Sequence, residues 1–184
     1  MTDIELAKKI EDKDPEAFRL FFEENKLKIA NLCYGMVHNR DVAEDLVQDI
    51  FVEVYCSIKY FKGKSKLSTW LYRIALNKTI SYLRKEKVRS FLTPLSNVKT
   101  GIASNERQDL SIEEEEKIDL LHKIIDTLSS KQKQAITLFI YDELPQKEIA
   151  EIMNCSVASV EVLIHRAKKT IKKKAEKIYG NTIE

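Results

Sequence analysis

Glycine and proline are scarce in this chain, which has four glycines and three prolines among 184 residues. Apolar residues recur mostly at helical spacing, and charged residues make up 33% of the sequence. This combination is typical of a protein built from amphipathic helices rather than from strands. We therefore predict an all-α fold.

Cysteines are also few. Cys33, Cys56 and Cys155 are widely separated, odd in number and lack any CxxC pairing. This spacing argues against both a disulfide framework and a zinc site. We expect the three thiols to be small core residues, and we expect neither a metal ion nor any other cofactor.

Long apolar runs are missing as well. The N-terminal segment MTDIELAKKIEDKD lacks the apolar stretch of a signal peptide. No other stretch approaches the length that spans a bilayer. These features predict a soluble cytoplasmic protein without membrane insertion.

The usual signs of catalysis are absent too. The three histidines, His38, His122 and His165, are scattered along the chain. No glycine-rich phosphate loop and no nucleophile–base pairing can be recognised. We therefore do not expect an enzyme.

What the sequence does contain is segregated charge. The formal net charge is only +2, but basic residues gather in residues 59–89 and 166–177, and an acidic run occupies residues 113–116. The charge of each cluster matters more here than the net charge, because each cluster can bind its own partner.

A change of composition divides the chain. Residues 90–112 lose the helical periodicity and collect serine, asparagine, threonine, proline and glycine. This composition is typical of a flexible linker. We predict two small helical domains, at residues 1–89 and 113–184, joined by that linker.

The C-terminal domain contains a helix-turn-helix pattern at residues 145–175. Pro145 suits the first turn of a short helix, Asn154 tolerates the left-handed conformation of a tight turn, and Ser156 can cap the second helix. Similar helix pairs occur in many helical proteins. Here the second helix presents short and polar side chains on one side, and lysines follow them, which favours DNA as the partner.

A helix in the N-terminal domain carries an acidic stripe. We expect this helix to start at Asp41, with Glu44 completing a near capping box. Its outward side then holds Asp45, Gln48 and Asp49. Such a stripe is more often solvated surface, but it could also dock a basic partner helix.

A basic, aromatic loop follows, with the sequence KYFKGKSK at residues 59–66. We expect Ser68 to cap the long helix after this loop. Arg73, Asn77 and Arg84 recur on one side of that helix. Cations that follow a backbone and rings that stack on bases suit a single nucleic-acid strand, although Trp70 is also expected to belong mostly to the core.

Three segments in this order resemble a sigma-70 family factor of the small extracytoplasmic-function (ECF) type. They are DVAEDLVQDIFVEVY, FKGKSKLSTWLYRIALNKTISYLRK and LSSKQKQAITLFIYDELPQKEIAEIMNCSVASVEVLIHRAKK. The resemblance covers nearly the whole chain outside the linker. It implies a two-domain initiation factor that binds core RNA polymerase, recognises the minus-ten and minus-35 promoter elements, and is commonly held inactive by an anti-sigma factor.

The resemblance also implies roles for particular residues. The expected core-polymerase surface consists of Asp45, Gln48 and Asp49. The residues expected to contact the single-stranded minus-ten element are Lys62, Lys64, Ser65, Lys66, Ser68, Trp70, Arg73, Asn77 and Arg84. The residues expected to contact the duplex minus-35 element are Ser156, Ala158, Ser159, Glu161, Val162, His165, Arg166 and Lys169.

Two positions depart from the family's common pattern. Glu161 stands where a basic residue is frequent, and Ser81 stands where many members carry aspartate. The promoter sequence therefore cannot be transferred from relatives. The alternative is a helix-turn-helix repressor that acts without polymerase, but that reading gives the acidic stripe and the basic loop no role.

Overall fold

The computed structural model describes residues 1–92 and 112–180, and within these residues the regular structure is entirely helical. The predicted all-α fold is thus confirmed. Eight α-helices occur in the described part of the chain: α1 (Asp3–Glu11), α2 (Pro15–Val37), α3 (Arg40–Ser57), α4 (Leu67–Leu92), α5 (Ile112–Asp126), α6 (Ser130–Ile140), α7 (Gln146–Met153) and α8 (Val157–Tyr179). A short 3-10 turn, Ile58–Tyr60, precedes α4.

Helix α1 was not expected from the sequence. The Thr2 hydroxyl accepts the Glu5 amide hydrogen at 3.2 Å, and the Glu5 carboxylate accepts the Thr2 amide hydrogen at 2.8 Å. This capping box satisfies two amide groups that the first helical turn leaves unbonded. Leu6 and Ile10 then anchor the helix in the core.

The starts of α2 and α3 follow local capping chemistry. Asp14 caps α2, with Pro15 at the first helical position, as the sequence predicts. The expected start of α3 at Asp41 is wrong by two residues. Asn39 is the cap, because its side chain accepts the Val42 amide hydrogen at 3.0 Å from an extended backbone. Asp41 lies in the first turn, where a negative charge favours the helix dipole.

The start of α4 depends on a residue far away in the chain. Ser68 does not cap this helix, which begins at Leu67. The Leu67 amide instead donates to the Asp3 carboxylate at 2.6 Å, so α1 supplies the missing acceptor. Helix α4 continues to Leu92, beyond the predicted start of the linker at Ser90, and α5 begins at Ile112, the last residue of the predicted linker. Residues 93–111 lie outside the described part of the chain.

The N-terminal helices α1–α4 pack around a shared apolar core. Leu32, Ile50 and Leu71 are fully buried there. Edge-to-face contacts reinforce the packing of α2 on α3, with ring centroids 4.7 Å apart for Phe22 and Phe51. Such pairs add stability beyond the apolar area that they bury.

The C-terminal helices include the predicted helix-turn-helix. Asn154 adopts the left-handed conformation, with φ 52° and ψ 52°, and Ser156 caps α8 by accepting the Ser159 amide hydrogen at 3.2 Å. Ser129 and Gln132 form the expected capping box for α6. Pro145 lies one position earlier than expected, at the cap of α7 rather than within its first turn.

The two helical parts meet at a close contact of α2 with α6. A Cβ atom added to Gly35 would lie 2.7 Å from both Thr137 Cγ2 and Tyr141 Cδ2. The Thr137 hydroxyl donates to the Gly35 carbonyl at 3.3 Å. Only glycine therefore permits this approach of the helices, and we call the contacts of α2 and α4 with α5, α6 and α7 the domain interface.

The cysteine prediction holds for one thiol of three. Cys33 is buried, whereas Cys56 and Cys155 are exposed. Cys56 lies on the outward side of α3 and Cys155 lies in the turn before α8, so neither fills the core. Among the helices of residues 1–92 and 112–180, none is long and apolar enough to cross a membrane.

Candidate nucleic-acid and polymerase interfaces

Helix α3 exposes the three residues predicted to bind core polymerase. Asp45, Gln48 and Asp49 follow one another at spacings of three and one, so they share one side of the helix, and all three are exposed. We call them the acidic α3 surface. Lys78 of α4 lies beside it, with its ammonium 3.7 Å from Asp49 and 3.1 Å from Glu53. The surface is therefore acidic at its centre and partly neutralised along the α4 side.

The basic loop before α4 presents lysines around an aromatic pair. Lys62, Lys64 and Lys66 are exposed. Phe61 and Trp70 are half-buried, with ring centroids 5.7 Å apart and a tilt of 59°. Cations and partly accessible rings thus lie within one small surface, which is the combination that binds unstacked single strands.

The side of α4 that is predicted to contact the minus-ten element has a covered part and an exposed part. Arg73 is half-buried, and its guanidinium donates to the carbonyl of Glu151 in α7 at 2.7 Å. Asn77 and Arg84 are exposed. Ser65 and Ser68 are half-buried at the beginning of this side, where Ser65 donates to the Lys66 carbonyl at 3.3 Å. We call the basic loop together with this side of α4 the basic α4 surface.

Helix α8 exposes every residue predicted to contact the minus-35 element. The opposite side is anchored by Val160, Ile164 and Ala167, which are buried against the rest of the domain. Ser156 stands apart from the other exposed residues, because its hydroxyl caps the helix and lies 2.8 Å from the Ser159 hydroxyl. The remaining side chains form one continuous outward face.

The lysines near the end of α8 are not equivalent. The Lys168 ammonium lies 4.4 Å from the centre of the Phe139 ring, and the Lys174 ammonium donates to the Thr127 hydroxyl at 2.7 Å. Lys172 lies 3.7 Å from Glu176. These contacts hold the lysines against α5, α6 or α8 itself. Lys169 and Lys173 are exposed, and we regard them as the better phosphate-binding candidates.

An open groove beside the outward face of α8 was not predicted from the sequence. It lies between α6, the end of α7 with the following turn, and α8, and is lined by Lys131, Gln134, Met153 and Val162, among others. Its lining brings residues from separate helices together, so a periodicity argument could not find it. The groove borders the outward face of α8, since Ala158, Ser159 and Val162 line it.

Two ionisable clusters at the domain interface were also missed. His38 and His122 stack on each other, although they lie far apart in the sequence. Asp142 is half-buried, but both oxygens of its carboxylate are buried near Tyr72 and Lys28, and this burial raises the pKa of the carboxyl to about 7. Burial and the same carboxyl also raise the pKa of the Tyr72 hydroxyl. Throughout the described ranges, no three histidine, cysteine or acidic side chains are grouped to hold a metal ion.

Family models match both halves of the chain. The model for Sigma-70 region 2 matches residues 21–89, and the model for Sigma-70 region 4 matches residues 118–171. The chain is 34% identical to the ECF RNA polymerase sigma factor SigW of Bacillus subtilis (strain 168), over 90% of this chain and 92% of the relative. It is 33% identical to the ECF RNA polymerase sigma-E factor of Escherichia coli (strain K12), over 96% and 95% of the two chains.

Solved structures show the same fold. CnrH, in complex with the cytosolic domain of CnrY, matches with a TM-score of 0.70 and 19% identity, covering 95% of this chain and 97% of CnrH. The sigma factor RpoE of Bartonella quintana, solved with the anti-sigma factor NepR, matches with a TM-score of 0.59 and 22% identity, covering 85% and 94%. At these identities, the likeness concerns the fold alone.

Proposed function

The chain belongs to the sigma-70 family of transcription initiation factors, in its ECF group, and on this premise we propose how its surfaces divide the work of initiation. A factor of this family binds core RNA polymerase and directs it to promoter DNA; it is not an enzyme. The alternative of a repressor is not favoured, because the chain matches sigma factors of RNA polymerase over nearly their whole length.

The acidic α3 surface is the proposed docking site for core polymerase. Asp45 and Asp49 are exposed and project from a helix whose other side is fixed in the core by Leu46 and Ile50. A rigid acidic helix fits a basic partner helix, because complementary charge speeds the encounter and fixes the register. Gln48 is exposed on the same side of α3 and adds a neutral hydrogen-bonding group.

The basic α4 surface is the proposed site for the melted minus-ten strand. Lys62 and Lys64 would follow the phosphates, while Trp70 and Phe61 offer the edge of an apolar pocket. Asn77, which is exposed one helical turn beyond Arg73, supplies a neutral donor and acceptor for a base. Extraction of a base costs a few kcal/mol, which stacking and phosphate contacts offset.

The outward face of α8 is the proposed reader of the minus-35 duplex. The continuous exposure of its N-terminal residues is the observation that carries this assignment, because side chains must reach base edges without moving the helix. Arg166 can donate to guanine, and Glu161 can accept from the amino group of cytosine. The acidic α3 surface and the basic α4 surface belong to a proposed domain at residues 1–89. The outward face of α8 belongs to a second proposed domain at residues 113–184.

An anti-sigma factor and a cytoplasmic location complete the proposed setting. The RpoE structure was solved with a partner of this class. A protein that binds sigma surfaces must compete with polymerase or with DNA, so an anti-sigma factor of this chain would cover at least one of the three surfaces. Core polymerase and promoter DNA are found in the cytoplasm, which is where such a factor acts.

Run-off transcription with purified core polymerase on genomic fragments tests the proposal as a whole. Asp49→Lys should abolish factor-dependent transcripts and core binding, because it places like charges against a basic partner. Glu24→Lys makes the same charge change at an exposed site of α2 and should leave both intact. Core binding of Asp49→Lys at wild-type strength would contradict the docking assignment.

A second experiment separates strand melting from docking. Asn77→Ala should leave core binding unchanged and slow open-complex formation, as measured by permanganate reactivity of thymines near the start site. Unaltered reactivity would contradict the minus-ten role of the basic α4 surface without affecting the docking assignment.

A further inference from the structure

Helix α1 contacts the basic loop (residues 59–66) and the residue that follows it. The Asp3 carboxylate accepts the Leu67 amide hydrogen at 2.6 Å, directly after the loop. The Ile4 side chain lies against the middle of the loop, since a Cβ atom added to Gly63 would lie 3.0 Å from Ile4 Cδ1 and 3.1 Å from Ile4 Cγ1. Two consecutive residues of α1 thus hold the loop at its middle and at its end.

The loop has little internal support. In the described part of the chain, none of the backbone amides of residues 62–66 donates to a backbone carbonyl. Gly63 has φ 66°, in the left-handed region that glycine enters without the steric cost of a Cβ atom. The contact of Phe61 with Trp70 supports only the beginning of the loop. A fixed backbone around Gly63 therefore depends on contacts from outside the loop.

Helix α1 is itself firmly anchored. Ile10 is fully buried, and Leu6 and Ala7 are buried beside it. In the turn after α1, the Lys13 ammonium lies 3.9 Å from the centre of the Tyr55 ring of α3. Because α1 shares the core of α2–α4, it can transmit the rigidity of that core to the loop.

No role has yet been given to α1. The helix lies before residues 21–89, which the model for Sigma-70 region 2 matches. Asp3 and Glu5 make its first turn acidic, so this end of the helix does not attract the phosphates of a DNA strand. An influence of these residues on promoter DNA must therefore act through the loop that they support.

We propose that α1 positions the basic loop for the melted minus-ten strand, with Asp3 and Ile4 as positioning residues rather than DNA contacts. This inference rests on the proposed function of the basic α4 surface and adds the element that orders its loop. Lys62 and Lys64 lie on either side of Gly63, so a displacement of the glycine moves both ammonium groups. A loop that is ordered only on binding lowers the affinity, because ordering opposes association.

Trypsin cleavage after Lys62 and Lys64 tests the order of the loop in the free protein. Ile4→Ala should raise the rate of these cleavages about tenfold, because proteolysis follows the population in which the loop is released. Ile4→Leu keeps a δ-carbon for the contact and should match the wild type. Leu27→Ala truncates an apolar side chain of similar exposure on α2 and should also match it.

Cleavage after Lys78, in the middle of α4, separates release of the loop from unfolding of the whole domain. Its rate should be the same in the wild type and in every variant, because Ile4 is 63% exposed and contributes little to the core. Unchanged rates after Lys62 and Lys64 in Ile4→Ala would overturn the proposal. An equal acceleration after Lys78 would overturn it as well, since the whole domain would then be opening.

Open-complex formation tests the functional consequence on a promoter identified by run-off transcription. Holoenzyme with Ile4→Ala should bind core polymerase normally and form open complexes about tenfold more slowly, as expected if the loop is competent in about one molecule in ten. Asp3→Ala should slow the same step, and Asp3→Asn, which keeps an acceptor for the Leu67 amide, should restore the rate. A merely structural role would lower the yield of holoenzyme and leave this rate unchanged.

The two experiments distinguish the possible failures. Faster cleavage of the loop in Ile4→Ala without slower open-complex formation would overturn the positioning role of α1. An unaltered rate in Asn77→Ala would contradict the minus-ten function itself. The trypsin rates are measured without DNA or polymerase, so they report the support of the loop independently of that function.

Discussion

His38 and His122 stack face to face across the domain interface, with ring centroids 4.0 Å apart and an angle of 13° between the ring planes. The Tyr141 hydroxyl lies 3.4 Å from His122 Nε2, and His38 Nε2 lies 3.4 Å from the Asp126 carboxylate. His38 ends α2 in the left-handed conformation, so the turn into α3 aims its ring at α5. The pair thus ties the end of α2 to α5, across the domain interface.

The stacked pair should make the two histidines interdependent. We call the arrangement in which the domain interface is formed closed, and its formation closure. We expect His38→Ala and His122→Ala each to weaken closure, and the double variant to cost less than the sum. The coupling should be about 0.5–1.5 kcal/mol, since stacked aromatic pairs contribute in this range beyond buried area. Energy transfer between dyes attached to the exposed Cys56 and Cys155, measured at one fixed pH, reports closure in each variant. Strictly additive effects would contradict the prediction.

Asp142 should make closure depend on pH. Its pKa is raised by burial to about 7, although the Tyr72 hydroxyl and the Lys28 ammonium favour the charged form. Below pH about 4 the carboxyl is neutral in both the closed and the open chain, and closure is strongest. As pH rises to about 7, the open chain loses its proton first, so closure weakens by up to roughly 4 kcal/mol.

Asp142→Asn should remove this pH dependence and strengthen closure at neutral pH, because the amide has no charge to desolvate. Dye transfer measured between pH 4 and 8 tests the change. Glu143→Gln is the matched control, since it neutralises the exposed neighbouring residue. Identical pH profiles in the wild type and Asp142→Asn would show that another group governs closure.

Asp3 should stabilise the N-terminal domain through α4 rather than through its own helix alone. Removal of the acceptor in Asp3→Ala should cost about 1 kcal/mol of unfolding free energy, because the Leu67 amide loses its partner. Asp3→Asn keeps an acceptor oxygen and should recover most of the loss. Thermal unfolding followed by circular dichroism measures both variants, and equal Tm values for Asp3→Ala and wild type would refute the capping role.

Residues along α8 should divide between sequence choice and affinity. Glu161→Ala and Arg166→Ala should each lose roughly 1–3 kcal/mol of the binding free energy that discriminates one base pair of the minus-35 element. Lys169→Ala and Lys173→Ala should weaken all sequences alike and lower the log–log salt slope by about one each. The measurement is the affinity of holoenzyme for DNA with altered minus-35 elements across a series of salt concentrations. A changed sequence preference in Lys173→Ala would contradict the assigned orientation of α8.

Local chemistry explains most of what the sequence predicts correctly. Asp14, Ser129 and Ser156 cap helices as expected, because each cap depends on residues within one helical turn. The same logic was available at Thr2 and Glu5, whose spacing marks a capping box. Helix α1 therefore lies within reach of the same local rules.

Contacts between distant residues account for the rest. The bond from Leu67 to Asp3, the stack of His38 on His122 and the contact of Arg73 with α7 each join residues with no periodic relationship in the chain. Periodicity places a residue on one side of a helix but does not tell what faces that side. Arg73 was correctly placed beside Asn77, yet only the folded chain reveals that α7 already covers it.

Gly35 has a consequence for genetic selection. Any larger side chain at this position would separate α2 from α6. Replacement by alanine even favours α2, by roughly 0.5–1 kcal/mol of helix stability. A genetic screen for variants in which α2 and α6 no longer meet should therefore recover chemically diverse substitutions at codon 35, graded by side-chain volume.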